Sequence, residues 1–121
     1  MKDGNVEFKL DIQMDKSLIT SKIESRIHRV QSRLDSQVLK DSNYYCPMQT
    51  GTLIKSGIDN TVLGSGVVQW NTPYAREQYY GHPNKSKDKN PNATMAWFET
   101  AKSKKMKEWE KLINDEYHKN D

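Results

Sequence analysis

The chain reads as a single α+β domain, residues 1–121, with two long helices packed on a small antiparallel β-sheet and elements in the order β-α-β-β-α-α. Three observations predict this. Near the start, Val6, Phe8, Leu10, Ile12 and Met14 alternate with Glu7, Lys9, Asp11 and Gln13, which is the period of a half-buried strand. From Leu18 to Val38, apolar residues recur at intervals of three and four, the period of an amphipathic helix. A second, broken stripe of that kind runs from Trp97 to Tyr117 and closes the chain.

The elements follow in order. The strand occupies Val6 to Met14, and Asp15 offers an N-cap for the first long helix, which carries Leu18 or Ile19, Ile23, Ile27, Val30, Leu34 and Val38 on one face. At about 28 residues it would be roughly 42 Å long. Asn43 and Pro47 bracket its end, because the proline pushes Cys46 out of helical geometry. Thr50 and Gly51 then form a turn, with Gly51 expected to need a backbone conformation closed to other residues, and Leu53 and Ile54 lie on a short element.

Thr61, Val62 and Leu63 before Gly64-Ser65-Gly66, and Val67 to Trp70 after it, carry the signal of a β-hairpin with Val68 and Trp70 on one face. Thr72 at an N-cap and Pro73 at the first helical position predict a short helix over Tyr74 to Tyr80, closed by Gly81. The last helix covers Thr94 to Tyr117. Its stripe of Trp97 or Phe98, Ala101, Met106, Trp109, Leu112, Ile113 and Tyr117 is expected to dock on the sheet at both ends, leaving a wet middle around Lys105.

Composition limits what these elements can bury. With 34% hydrophobic residues in 121 and a mean hydropathy of -0.98, the core is small, so aromatic side chains have to supply part of it. An extended subunit, or one completed by neighbours, fits that composition. The net charge of +3 is the difference between 19 basic and 16 acidic residues, too balanced to mark a nucleic-acid binder. Lysines do cluster locally, at Lys85, Lys87 and Lys89 and again at Lys102, Lys104, Lys105 and Lys107. Such clusters are candidate contacts for phosphate or an acidic protein surface, against the plainer reading of solvated side chains.

Several chemistries find no support. One cysteine, Cys46, excludes an internal disulfide and suits a reducing compartment as a buried thiol. His28, His82 and His118 lack the spacing of metal ligands, and Gly64-Ser65-Gly66 is shorter than the turn that presents a hydrolase serine. Glu77 and Glu99 are more simply read as partners for Arg76 and Lys102 than as a catalytic pair. No catalytic residue, cofactor or metal is therefore expected. The charged start of the chain never produces an apolar run, so neither a signal peptide nor a membrane span is expected.

Two aromatic blocks remain, WNTPYAREQYYG from Trp70 to Gly81 and PNATMAWFETAK from Pro91 to Lys102. Trp70, Tyr74, Arg76, Tyr79, Tyr80, Trp97 and Phe98 are the candidates for packing or docking. Core, subunit interface and base stacking divide them. Adjacent helical residues point about 100° apart, so of Tyr79 and Tyr80 one should be buried and the other should face outward.

Together with CPMQTGTLIKSG, these blocks resemble the small minor capsid proteins encoded in the head-to-tail gene block of tailed phages and prophages of Gram-positive bacteria. The likeness spans Pro47 to about Leu112, and the matching positions include Thr50, Gly51, Ser56, Tyr74, Ala75, Tyr79, Tyr80, Gly81, Pro91, Asn92, Ala93, Trp97 and Phe98. Members of the wider neck and tail-completion class commonly carry an acid before the threonine-glycine pair, where this chain has Gln49. The resemblance implies a structural protein of the virion, assembled in the bacterial cytoplasm and placed in the head-tail connector. There it would form a homo-oligomeric ring, contact other connector or tail proteins, and meet passing DNA transiently through its lysines.

Overall fold

A computed structural model describes residues 4–10, 20–48, 51–81 and 91–119. The element order is β1 (Asn5–Lys9), α1 (Ser21–Tyr44), α2 (Thr52–Asn60), β2 (Val67–Asn71), α3 (Ala75–Tyr80) and α4 (Trp97–Tyr117). The fold is α+β, with α1 and α4 long and α2 and α3 short. Alternation in β1 sends Val6 and Phe8 to one face. They lie opposite Trp70 and Val68 of β2 in an antiparallel pair, and Val68 and Trp70 are both fully buried.

The expected hairpin is corrected. Among the described residues the sheet has two strands, and β2 pairs with β1, not with Thr61 to Leu63. Thr61 does reach β2, by its side chain: its hydroxyl accepts the Gln69 N–H at 3.1 Å and donates to the Gln69 carbonyl at 3.4 Å. Ser56 repeats the device one residue pair along, its hydroxyl accepting the Asn71 N–H at 3.2 Å while donating to Leu53 C=O at 2.7 Å. Two hydroxyls from α2 and its C-cap thus occupy the ladder side where a third strand would sit.

The element that contains Leu53 and Ile54 is accordingly a nine-residue helix. The first long helix begins later than expected, at Ser21, because Thr20 is the N-cap and its hydroxyl accepts the Ile23 N–H at 3.3 Å. Asp15, Leu18, Ile19 and the strand positions from Asp11 to Met14 lie outside the described residues. The short aromatic helix also starts later. Tyr74 is its N-cap, and Thr72 and Pro73 form the preceding turn, with the Ala75 N–H donating to Thr72 C=O at 3.2 Å.

Packing differs from the expectation as well, since α4 docks mainly on α1. The two helices run antiparallel, with Asp41 near the end of α1 bonded to Trp109 and Arg29 near its start bonded to the Glu116 carbonyl at 3.1 Å. The first turn of α4 meets the sheet, where Phe98 stacks on Phe8 with ring centres 4.3 Å apart and Trp97 meets Trp70 edge-on at 5.8 Å. Farther along α4, Leu112 and Ile113 are half-buried and Met106 is exposed.

Candidate functional site

Trp70 organises the aromatic core. Alternation in β2 turns its indole inward, its N–H donates to Asn43 Oδ1 at 2.8 Å, and the ring lies flush against Gly57 of α2. A Cβ on Gly57 would collide with the indole nitrogen, so α2 can approach β2 this closely only with glycine there. Tyr79 stacks edge-on against Trp97 at 4.6 Å and contacts Phe8 at 5.2 Å. Four of the candidate residues, Trp70, Tyr79, Trp97 and Phe98, are therefore packed inside.

Tyr79 also ties the second aromatic block to the first. Its carbonyl accepts the Ala96 N–H at 2.9 Å and its hydroxyl accepts the Glu99 N–H at 3.4 Å. Ala96, the N-cap of α4, is thereby held at φ 47°, a left-handed conformation that costs about 1 kcal/mol for a residue with a side chain. Two residues earlier, the Thr94 N–H donates to the Tyr45 carbonyl at 2.9 Å, fastening the same segment to the end of α1.

The outward positions make the candidate docking face. Tyr79 is 1% exposed and its neighbour Tyr80 is 61% exposed, the division that helical geometry requires. Arg76 lies 5.4 Å over the Tyr80 ring, a cation–π arrangement that restrains both long side chains at the surface. Tyr74, 62% exposed, stands at the rim of a cavity of about 350 Å3 lined by Pro47, Gly51, Thr52, Leu53, Pro73 and Glu77, among others. Residues from CPMQTGTLIKSG and from WNTPYAREQYYG, far apart in sequence, thus share one surface.

Gly51 opens α2 with φ 80°, inside the left-handed region. Of the lysines, Lys104 is exposed, while Lys105 pairs with Glu108 at 3.4 Å, and that hydrogen bond and charge raise its pKa. Thr50, Lys85, Lys87 and Lys89 lie outside the described residues. No cluster of three or more histidine, cysteine or acidic side chains is placed to hold a metal among the described residues, and no helix there is long and apolar enough to cross a membrane. Cys46 is fully buried.

Sequence reasoning missed the polar residues that fix this framework. Asp35, fully buried, accepts the N–H groups of Gly64 and Gly66 at 2.9 Å each and that of the Gln31 side chain at 2.7 Å. Asn43 and Asp41 each satisfy a tryptophan N–H. In the sequence Asp35 and Asp41 look like ordinary polar positions of an amphipathic helix, and Asn43 reads as a mark of its end. Only the fold brings glycine amides and indoles to them.

An aromatic core in which Trp70 and Trp109 are hydrogen-bonded, with Tyr74 and Tyr80 exposed at its surface, defines a small packing scaffold. The comparison with known families agrees: the model of the minor capsid protein family matches residues 10–116, and the chain belongs to that family. It is a phage structural protein of the virion. No curated protein and no solved structure matches the chain.

Proposed function

We propose that this minor capsid protein is a subunit of the head-tail connector, joining head to tail as one member of a ring in a phage or prophage of a Gram-positive host. The observation that carries the reading is the exposure of Tyr80, beneath Arg76, and of Tyr74, at the rim of the cavity, on a scaffold that buries Trp70, Tyr79, Trp97 and Phe98. Tyrosine offers a rigid apolar ring with a polar tip, the chemistry of an interface anchor. Connector or tail proteins are the partners, and identical neighbours would complete the ring.

Virion assembly tests it directly. A phage lacking the protein is complemented with Tyr74→Ala or Tyr80→Ala, and particles are counted by electron microscopy. At least one variant should keep the parent melting temperature and yet yield unattached heads and tails. Full infectivity from both variants and from their double mutant would overturn the reading.

Transient contact with DNA is a second reading, favoured by the exposure of Lys102, Lys104 and Lys107 on α4. Such binding would be weak, independent of sequence and lost as salt rises. Binding to short DNA that persists at high salt, and falls on changing Tyr80 to Ala, would favour base stacking instead.

A further inference from the structure

The two edges of the sheet are treated differently. On β2 the outward amides of Gln69 and Asn71 are taken by the hydroxyls of Thr61 and Ser56. On β1 the Leu10 N–H donates inward to the Gly66 carbonyl, and this parity directs the backbone groups of Glu7 and Lys9 away from β2. No hydrogen bond of the described structure takes them. Beside that edge lies an apolar groove of about 290 Å3, whose walls include Phe8, Leu10, Leu34, Phe98, Met106 and Trp109. Unpaired backbone next to unfilled apolar volume is the arrangement that an added strand completes.

We infer that this edge takes β1 of a second copy, antiparallel, with Glu7 of each copy opposite Lys9 of the other. The register follows from charge and parity. Glu7 and Lys9 carry the outward backbone groups, so they must form the hydrogen-bonded pairs of any antiparallel contact on this edge. Shifting the register by two residues sets Glu7 against Glu7 in one direction and Lys9 against Lys9 in the other, like charges directly opposed. The charge-matched register centres the two-fold axis on Phe8, whose ring meets its copy in the closely spaced non-hydrogen-bonded pair at the mouth of the groove. Both charged side chains are exposed and lie on the face opposite Val6 and Phe8, so the pairing leaves the core untouched.

This contact stands apart from the connector reading. A two-fold pair closes on itself and does not propagate around a ring, so the dimer is a form of the free protein.

Sedimentation of the full chain over a concentration series, with amide hydrogen exchange at both ends of the series, tests it. Expected are a reversible dimer and slowed exchange at Glu7 and Lys9 as the dimer fills. Glu7→Lys alone and Lys9→Glu alone should each weaken the dimer by about tenfold or more, since each turns two attractive pairs into repulsive ones. The double variant Glu7→Lys/Lys9→Glu, and an equimolar mixture of the two single variants, should recover it. A chain that stays monomeric throughout the series overturns the inference. So does a dimer whose Glu7 and Lys9 amides exchange at the monomer rate, or one indifferent to both single reversals.

Discussion

The carboxylate of Asp35 holds the Gly66 backbone, one oxygen accepting its N–H at 2.9 Å from a position with no solvent exposure. The same oxygen takes the Gly64 N–H, and the other takes the Gln31 side chain, which also donates to the Leu10 carbonyl at 2.9 Å. Leu10 and Gly66 are themselves paired across the sheet. One α1 carboxylate therefore fixes the turn entering β2 and, through Gln31, the end of β1. Among the described residues the sheet is two strands wide, and such a sheet is marginal without external support.

Asp35→Ala should accordingly destabilise the protein by about 3 kcal/mol, because it leaves glycine amides without an acceptor inside the fold. Asp35→Asn should cost less, about 1 to 2 kcal/mol. Its carbonyl can keep the two glycine amides, but its amide then faces the Gln31 donor and one of the remaining bonds is lost. Urea melts of the three proteins check the ranking, and Ala equal to Asn would show that the carboxylate is not what holds the turn.

Two glycines should fail for different reasons. At Gly51 the backbone is left-handed but an added Cβ would meet nothing within 4 Å, so Gly51→Ala should cost only the conformational term, about 1 kcal/mol. At Gly57 no positive φ is involved, yet the Cβ would strike the Trp70 indole. Gly57→Ala should cost about 1 to 3 kcal/mol through overpacking, and it should shift tryptophan fluorescence because Trp70 must move. Gly51→Ala should leave the emission unchanged. Identical spectra for both variants would refute the division.

What was legible in the sequence was periodicity. The alternation of Val6 and Phe8, the stripe through Val30, Leu34 and Val38, and the split between Tyr79 and Tyr80 all follow from residue spacing on regular elements, and each is found in the fold. What escaped was long-range pairing. Thr61-Val62-Leu63 has the composition of a strand, and Thr61 does sit beside Gln69, but a hydroxyl makes the bonds that a backbone was expected to make. Nor could the spacing in α4 tell whether its stripe faces a sheet or another helix, because both offer an apolar surface. The outcome depends on partners such as Asp41 and Arg29, more than sixty residues away in sequence.

Asp41 supplies the third prediction. Its Oδ2 accepts the Trp109 N–H at 2.7 Å and its Oδ1 accepts the Gln37 side chain at 3.0 Å. Trp109 is nearly fully buried, so Asp41→Ala strands an indole donor and should cost about 1 to 3 kcal/mol. Trp109→Phe removes the donor while keeping an aromatic ring, so in that background the Asp41→Ala loss should shrink to the Gln37 bond, about 1 kcal/mol. A double-mutant cycle reads the coupling, and a coupling within error of zero would remove this bond from the α1–α4 contact.

The last prediction separates fold from docking at adjacent positions. Tyr79 packs against Phe8 and Trp97 and supports the start of α4 through its hydroxyl, so Tyr79→Ala should cost about 3 to 5 kcal/mol by opening a cavity in the core. Tyr79→Phe keeps the ring and loses only the long bond to the Glu99 N–H, an expected change of about 1 kcal/mol or less. Tyr80 touches Arg76 and the edge of Tyr79 from outside, so Tyr80→Ala should stay within about 1 kcal/mol of the parent. Thermal melts give the order directly. If Tyr80→Ala melts as low as Tyr79→Ala, then Tyr80 is a structural residue, and any loss of virion assembly in that variant reports unfolding instead of a missing contact.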